Sequence, residues 1–285
     1  MAETAQLVTT VSDTARWVAA FRAIESARPD ALFDDPLADL VAGERGRAIA
    51  ANGPRLMRSG WNFVTRTKLI DDLIMKSIAQ GCDRVLNLAA GMDTRPYRLE
   101  LAAEFPWIEA DLPGLITEKN DMLAGESPRC ALTRTAVDLA DPEARQRFLD
   151  EALEGAQRAL VLTEGLVYYL TDDNVISLGD ALARPEIAWW MVDVNNQALV
   201  KRTNKSTAEL LANAPWHFGP VEPLRFFESI GWTADDVEHL AWAAHRLHRL
   251  PWFMKPLTLL PQPDPRAPIK NSRMPWSAVV RLTHG

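Results

Sequence analysis

Short apolar runs alternate with amphipathic stretches through the middle of the chain. Arg84-Val-Leu-Asn-Leu-Ala-Ala90, Trp107–Asp111, Leu132–Asp138, Ala159–Thr163 and Ile187–Asp193 each read as a buried strand, being short, mainly apolar and bounded by turn signals. Between them lie helical patterns: from Gly91 to about Ala103, from the Pro113-Gly114 break to about Ala124, Pro142–Leu153 and Asp172–Leu182. Strands alternating with helices of this length predict βαβ units and a parallel, doubly wound sheet.

The flanks read differently. Ser12 or Asp13 caps a predicted helix that runs to Ser26, and Pro29 closes that region. Phe33-Asp-Asp-Pro36-Leu is a turn with proline at the start of the next helix. Asn62–Gln80 carries Phe63, Thr67, Ile70, Leu73, Ile74 and Ile78 at helical spacing, and Gly81 stops it. Beyond the fifth strand, Pro223–Ser229 is a short helix closed by Gly231, and Asp235–Leu250 reads as one helix carrying Trp242. Pro251–Pro275 holds seven of the 19 prolines and reads as irregular. Ser277–Thr283 is a terminal strand, so five parallel strands are expected to end in a hairpin-like pair. The expected organisation is one domain: a helical cap over 1–80, a core over 81–195, a variable region over 196–276 and the closing strand over 277–285.

Composition narrows the field. The 285 residues are 47% hydrophobic and 24% charged, which is ordinary for a globular protein. A formal net charge of −7 argues against non-specific nucleic-acid binding. Apolar runs such as Ala159–Leu162 and Ala188–Val192 fall far short of the roughly 20 residues that span a bilayer. The first residues lack a basic region and an apolar core, so no secretory signal is expected. Cys82 and Cys130 make no disulfide or metal framework, and a reducing cytoplasm is the expected compartment.

Ligands of such sheets bind in the loops after the strands. The first loop, Asn87-Leu-Ala-Ala-Gly91-Met-Asp93-Thr-Arg95, has one glycine where a dinucleotide fingerprint needs three. Asp93 also sets a carboxylate where a pyrophosphate would lie, so a diphosphate is disfavoured and a cationic amine favoured. Asp111 ends the second strand 20 residues after Gly91, the interval at which an acid accepts ribose hydroxyls. It could instead cap the helix at Pro113. Asp138 and Leu139 end the third strand, where they would suit an adenine, or Asp138 would cap the helix at Pro142. Glu164, before Gly165, stands at the sheet's mouth as a ligand group or as a solvated loop acid. A single-glycine loop with ribose, adenine and further acids suits S-adenosylmethionine, whose sulfonium needs no phosphate cradle.

The ordered set Gly91-Met-Asp-Thr-Arg-Pro-Tyr-Arg-Leu99, Glu109-Ala-Asp-Leu-Pro113, Lys119, Val137-Asp-Leu139 and Thr163-Glu-Gly-Leu-Val-Tyr-Tyr-Leu170 resembles the leucine carboxyl methyltransferase family. That family is a branch of the class I S-adenosylmethionine-dependent methyltransferases. Glu25–Asp30, Phe33–Ala38 and Arg66–Asp72 resemble its bacterial members, including polyketide O-methyltransferases and mycobacterial methyltransferases. The resemblance runs from about Thr14 to Trp232. It implies a Rossmann-like sheet of seven strands with an antiparallel last strand. It also implies a cofactor site of Arg66, Ala89, Gly91, Asp93, Arg95, Asp111, Leu112, Asp138, Leu139 and Glu164, with Arg66 on the methionine carboxylate. Ala89 departs from the family's usual glycine, and its methyl group is expected to crowd the loop.

Methyl transfer is an in-line displacement with a neutral leaving group, so the protein mainly supplies alignment. A carboxylate acceptor needs no base; a hydroxyl does. Glu164, Tyr168 and His217 are the candidate catalytic residues, with His217 the best base. His245 and His248 share a helix face but lack acidic or cysteine company, so no metal is expected. Trp61, Trp216, Trp242 and Trp252 lie outside the predicted sheet and would line an aromatic acceptor pocket or pack the lid. The expected function is O-methylation of a small, largely apolar, polyketide-like molecule of secondary metabolism, without nucleic-acid or membrane partners. Methylation of a protein's C-terminal carboxylate, cofactor binding without turnover and a nucleotide-dependent oxidoreductase are the alternatives.

Overall fold

The computed structural model describes residues 8, 11–53, 57–208, 210–258, 264, 266–267 and 274–285. Among the described residues three helices come first: α1 (Val11–Ser26), α2 (Ala38–Asn52) and α3 (Trp61–Ala79). The chain then alternates β1 (Arg84–Leu88), α4 (Arg95–Arg98), β2 (Pro106–Asp111), α5 (Pro113–Met122), β3 (Ala131–Ala136), α6 (Pro142–Ala152), β4 (Ala159–Thr163), α7 (Asp172–Leu182) and β5 (Ile187–Asn195). It closes with α8 (Gln197–Ser206), α9 (Pro223–Ser229), β6 (Trp232–His239), α10 (Leu240–Arg246) and β7 (Ser277–His284).

The seven strands form one sheet in the order β3-β2-β1-β4-β5-β7-β6. β1 to β5 are joined by parallel pairings. β7 runs antiparallel to both β5 and β6. The order reverses between β1 and β4, so their carboxyl ends diverge there and open a crevice. The expected doubly wound sheet and its antiparallel closing strand are both present.

Alternation of side chains builds a core on each face. Leu86 and Leu88 of β1, Val161 of β4 and Trp190, Val192 and Val194 of β5 point to one side. Val85, Leu160, Leu162, Trp189 and Met191 point to the other, where Leu69, Ile70, Leu73 and Ile74 of α3 cover them. Trp190 meets Trp232 and Phe227 edge-on, each with centroids 5.3 Å apart. A third cluster joins Trp17 and Phe21 of α1, Val41 and Ile49 of α2, and Phe63 of α3. It fixes α1 over the end of the sheet. No helix among the described residues is long and apolar enough to cross a membrane.

Local signals explain most boundaries. The Asp141 carboxylate accepts from the backbone N–H of Glu143 and Ala144 at 2.9 and 3.2 Å, with Pro142 first in the helix. Asn196 caps α8 by accepting from Leu199 N at 3.1 Å. Gly81, at φ 92°, ends the α3 region.

Five expectations need correction. The helix after Gly91 does not reach Ala103; it is the four residues of α4, because Leu99 turns extended and both it and Leu101 pack into the core under the sheet. Asp235–Leu250 is not one helix: its first part belongs to β6, where pairing with β7 overrides local propensity, and only Leu240–Arg246 is helical. Helix α8 was not foreseen, since Val200 is its one buried residue. Within Pro251–Pro275, Trp252–Thr258 forms a 3-10 helix. Residues 259–263, 265 and 268–273 of that stretch lie outside the described residues. Asp13 sits inside α1, and its carboxylate accepts from Arg45 at 3.0 Å.

Gly60 sets the approach of α1 to α3. It lies at φ 59°, and a Cβ there would stand 2.2 Å from the Phe21 ring. Gly60→Ala combines left-handed strain with overpacking and should cost about 3 kcal/mol in urea unfolding. A loss below about 0.5 kcal/mol, the range of a neutral surface change, would mean that α1 is not fixed by this contact.

Candidate active site

The crevice between β1 and β4 opens into a cavity beneath α1. Its floor is the loop after β1 (Ala89 to Asp93), its sides are Asp111 and Leu112 after β2 and Glu164 to Leu166 after β4, and its roof is Ser12, Thr14, Ala15, Val18 and Arg22 of α1. Gly91 lies at φ 51°, and a Cβ there would touch the Ala15 methyl at 3.0 Å. Close approach of the roof therefore requires glycine. Ala89 is also left-handed, at φ 54°. Its methyl group carries a strain that glycine would not.

Asp111 closes this loop. Its Oδ2 accepts from Gly91 N at 2.7 Å and its Oδ1 from Leu112 N at 2.8 Å. Burial raises its carboxyl above the usual range, against the pull of those two N–H groups and Lys119. It does not cap α5, whose N-cap is Leu112.

A continuous ion network runs behind the cavity. Arg22 pairs with Asp35 at 2.8 Å, and Arg98 reaches Asp35 at 3.6 Å and Asp71 at 2.7 Å. Arg95 contacts Asp71, Asp93 and Glu164 at 2.7, 2.6 and 2.8 Å. Arg66 then joins Glu164 at 2.9 Å to Asp193 at 2.7 Å. The Tyr168 hydroxyl donates to Asp193, whose Oδ1 accepts from Gly165 N at 2.7 Å. Four guanidiniums, Arg22, Arg66, Arg95 and Arg98, thus face five carboxylates, Asp35, Asp71, Asp93, Glu164 and Asp193. The surplus is one negative charge. Burial alone would raise the Asp93 and Glu164 carboxyls, but Arg95, with Lys119 and Arg22 for Asp93 and Arg66 for Glu164, outweighs it and holds both below the ordinary range.

A second cavity, of about 460 Å³, adjoins the first. The two share Met57, Phe63, Arg66, Tyr168 and Trp216 as a common wall. Tyr168 stacks on Trp216 with centroids 4.6 Å apart. Burial and the neighbouring Asp193 carboxylate push the Tyr168 phenol well above its ordinary pKa. The rest of the second cavity is mainly apolar, with Trp61, Leu199, Leu240, Phe253 and Met254.

The residues expected from the sequence sort unevenly. Arg66, Ala89, Gly91, Asp93, Arg95, Asp111, Leu112, Glu164 and Tyr168 all line the first cavity. Glu164 is not a solvated loop acid, since two arginines hold it. Asp138 is exposed, and its Oδ1 accepts from Ala140 N at 2.9 Å. Neither it nor Leu139 is in the cavity wall. The cap of α6 is Asp141 instead. His217 is exposed and lines neither cavity; its backbone N–H donates to Tyr168 O at 2.6 Å. Trp61 and Trp216 line the second cavity, whereas Trp242 packs on His239 at 4.4 Å and Trp252 is exposed. Sequence reasoning missed Asp193, Asp71 and the α1 roof. An acid at the end of the fifth strand was the available signal for Asp193.

The leucine carboxyl methyltransferase family model matches residues 15–183, more than half of the chain. The chain belongs to the leucine carboxyl methyltransferase family. As a member it is an S-adenosylmethionine-dependent methyltransferase. A candidate S-adenosyl-L-methionine-dependent methyltransferase of Frankia alni is 31% identical over 238 residues, covering 78% of this chain and 82% of its own. A similarly named protein of Streptomyces avermitilis is 29% identical over 270 residues, covering 89% and 91%. A crystal structure of a DUF574 family protein from Streptomyces avermitilis shares the fold at TM-score 0.55 and 14% identity, covering 94% of this chain and 97% of that one. A candidate methyltransferase from Thermobifida fusca does so at TM-score 0.52 and 16% identity, covering 95% and 94%.

Removing Arg95 tests the network. Arg95→Met leaves three buried carboxylates short of a cation and should cost about 3–5 kcal/mol near neutral pH. In the parent, carboxyls held low contribute stability that is complete above the ordinary carboxyl range and is lost as pH falls below it. In the variant the Asp93 and Glu164 carboxyls rise and regain protons, so acid relieves it. Urea unfolding should therefore show the gap narrowing between neutral pH and about pH 4. A gap that stays constant would refute this account.

Proposed function

We propose that the chain moves the S-adenosylmethionine methyl group to a carboxylate oxygen of a small, largely apolar acceptor. The observation that carries this is the pair of adjoining cavities: one at the sheet's switch point that holds Arg66, Asp93, Arg95, Asp111 and Glu164 in its wall, and a second, mainly apolar one, meeting at Arg66, Phe63, Tyr168 and Trp216.

The residues of the first cavity suit the cofactor. One surplus negative charge in the network, with Asp111 beside it, favours a ligand bearing sulfonium and ammonium groups. Arg66 uses Nε on Glu164 and Nη1 on Asp193, while Nη2 has no hydrogen bond among the described residues and is available for a carboxylate. The loop at Ala89 and Gly91 would hold the methionine portion, with Asp93 and Glu164 near its amine. Asp111 would exchange its Gly91 N–H for ribose hydroxyls. An adenine extending past Leu112 would arrive at the end of β3, where Asp138 and Leu139 stand. When bound, the cofactor supplies a methyl group on a sulfonium that leaves as a neutral thioether.

The acceptor's nucleophile must arrive already ionised. No histidine lines either cavity among the described residues. Glu164 and Asp193 are both tied to guanidiniums, and the Tyr168 hydroxyl is committed to Asp193. Proton removal is thus poorly provided for, and a carboxylate needs none. Tyr168, clamped by Asp193 and stacked on Trp216, acts as a positioning residue at the junction. His217 has no part in this reading. The chain works as one unit, with 1–80 as roof, 81–195 as cofactor frame, 196–276 as acceptor wall and 277–285 completing the sheet.

Asp111→Asn isolates the cofactor role. It should weaken S-adenosylhomocysteine binding about 10- to 100-fold in titration calorimetry, since a charged acceptor is lost. The melting temperature should move by less than about 4 °C, because relief of the buried charge offsets one lost hydrogen bond. Unchanged affinity would return Asp111 to a purely loop-closing role. Incubation with labelled cofactor and a panel of aryl and alkyl acids and alcohols should yield label that mild alkali releases as volatile methanol, the mark of a methyl ester. Alkali-stable label on the alcohols alone would overturn the carboxylate reading.

A further inference from the structure

The wall of the second cavity contains three charged side chains among the described residues: Arg66, Asp193 and Arg202. Arg66 and Asp193 pair with each other at 2.7 Å, and Arg66 has Glu164 as a second partner. Arg202, on α8, is different. Its guanidinium has no ion pair or hydrogen bond with any described residue, and it lines the second cavity but not the first. It therefore stands apart from the wall where the two cavities meet.

Its surroundings sharpen the point. Arg202 is exposed, and the cavity wall it shares also carries Leu199, Leu240, Phe253 and Met254, with Asn195 and Ser206 as neutral hydrogen-bonding groups. A guanidinium at the rim of an apolar cavity stays solvated on its outer side, while the low-polarity wall strengthens its attraction for an anion on the inner side. Within this cavity the described carboxylate that could satisfy it, Asp193, is already committed to Arg66, Tyr168 and Gly165. The planar, permanently charged fork of arginine suits a carboxylate or another oxyanion.

Building on the proposed acceptor site, we infer that Arg202 is a specificity-determining residue that holds an anionic group of the acceptor, remote from the oxygen that receives the methyl group. The substrate class is an amphipathic acid with two polar ends. Its reacting oxygen lies at the Arg66–Tyr168 junction, its apolar body lies against Leu240, Phe253 and Met254, and its second, negative group reaches Arg202. A neutral hydrocarbon tail leaves this cation without a function, and a cationic one is repelled by it.

Two fluorescent probes of one shape test the assignment without knowing the natural acceptor: anilinonaphthalene sulfonate, which is anionic, and neutral phenylnaphthylamine. Both should bind the intact chain and displace one another, the anion more tightly. Arg202→Gln should weaken the anionic probe about fivefold, the scale of a partly exposed ion pair, and leave the neutral one unchanged. Arg202→Lys should retain much of the preference. S-adenosylhomocysteine affinity, measured on the same samples, should be equal in all three proteins. Equal binding of the two probes by the parent, or a preference that survives Arg202→Gln, would overturn the inference. Absence of S-adenosylhomocysteine binding in the parent would instead strike the reading of the first cavity and leave the probe result to stand by itself.

Discussion

Arg95 is the side chain on which the site's geometry rests. It is buried, and its guanidinium joins α3 through Asp71, the loop after β1 through Asp93 and the loop after β4 through Glu164. A buried ion cluster is weak evidence for stability, because desolvation consumes most of the Coulombic gain. Its contribution is positional. Three segments far apart in sequence meet within hydrogen-bond distance of one planar group, so the two sides of the crevice cannot drift independently. The chain extends outward from there: Arg98 and Asp35 reach Arg22 of α1, which donates to Met92 O at 2.6 Å, and so tie the roof to the loop below it. Asp193 and Tyr168 extend it the other way, to the wall shared by the two cavities.

This arrangement separates what was legible in the sequence from what was not. The parallel strands announced themselves through apolar runs whose length excludes helices, and β4 and α7 fall on the expected residues. Asp111 and Gly91 were legible because their spacing reflects one βαβ unit, and the hydrogen bond between them, 2.7 Å, is the product of that spacing. The remote acids of the network were not. Asp71, a partner of Arg95, lies 24 residues before it, and Asp193, a partner of Arg66, lies 127 residues after that arginine; only the folded sheet brings them to one place. The edge strand β6 was hidden for a related reason: its sequence is compatible with a helix, and the deciding partner, β7, is far along the chain.

Ala89 shows a local rule yielding to its surroundings. A left-handed alanine costs about 1–2 kcal/mol relative to a right-handed one. The turn is nevertheless kept, because Ala90 N donates to Ala110 O and Asp93 N to Ala90 O, while Asp111 holds the next residue. What the structure records for the methyl group here is a left-handed backbone at φ 54°. Strain of this kind persists where neighbouring bonds over-determine the conformation, and it gathers at functional loops.

The location of charge then bears on chemistry. In the first cavity every described carboxylate except Asp111 is paired with a guanidinium, and Asp111 accepts from backbone N–H groups. Such groups are fixed dipoles and charges rather than mobile bases: they can orient a cationic cofactor at little reorganisation cost, but accepting a proton would require breaking ion pairs. The proposed carboxylate acceptor, anionic on arrival, asks no proton transfer of a site built this way. Under that proposal, displacement at a sulfonium carbon by a carboxylate annihilates charge, and the Phe63 and Trp216 rings beside Arg66 lower the local polarity, which favours charge annihilation over the solvated reactants. The same pairing that makes the site rigid thus makes it a poor general base and a suitable surface for aligning two ions of opposite sign.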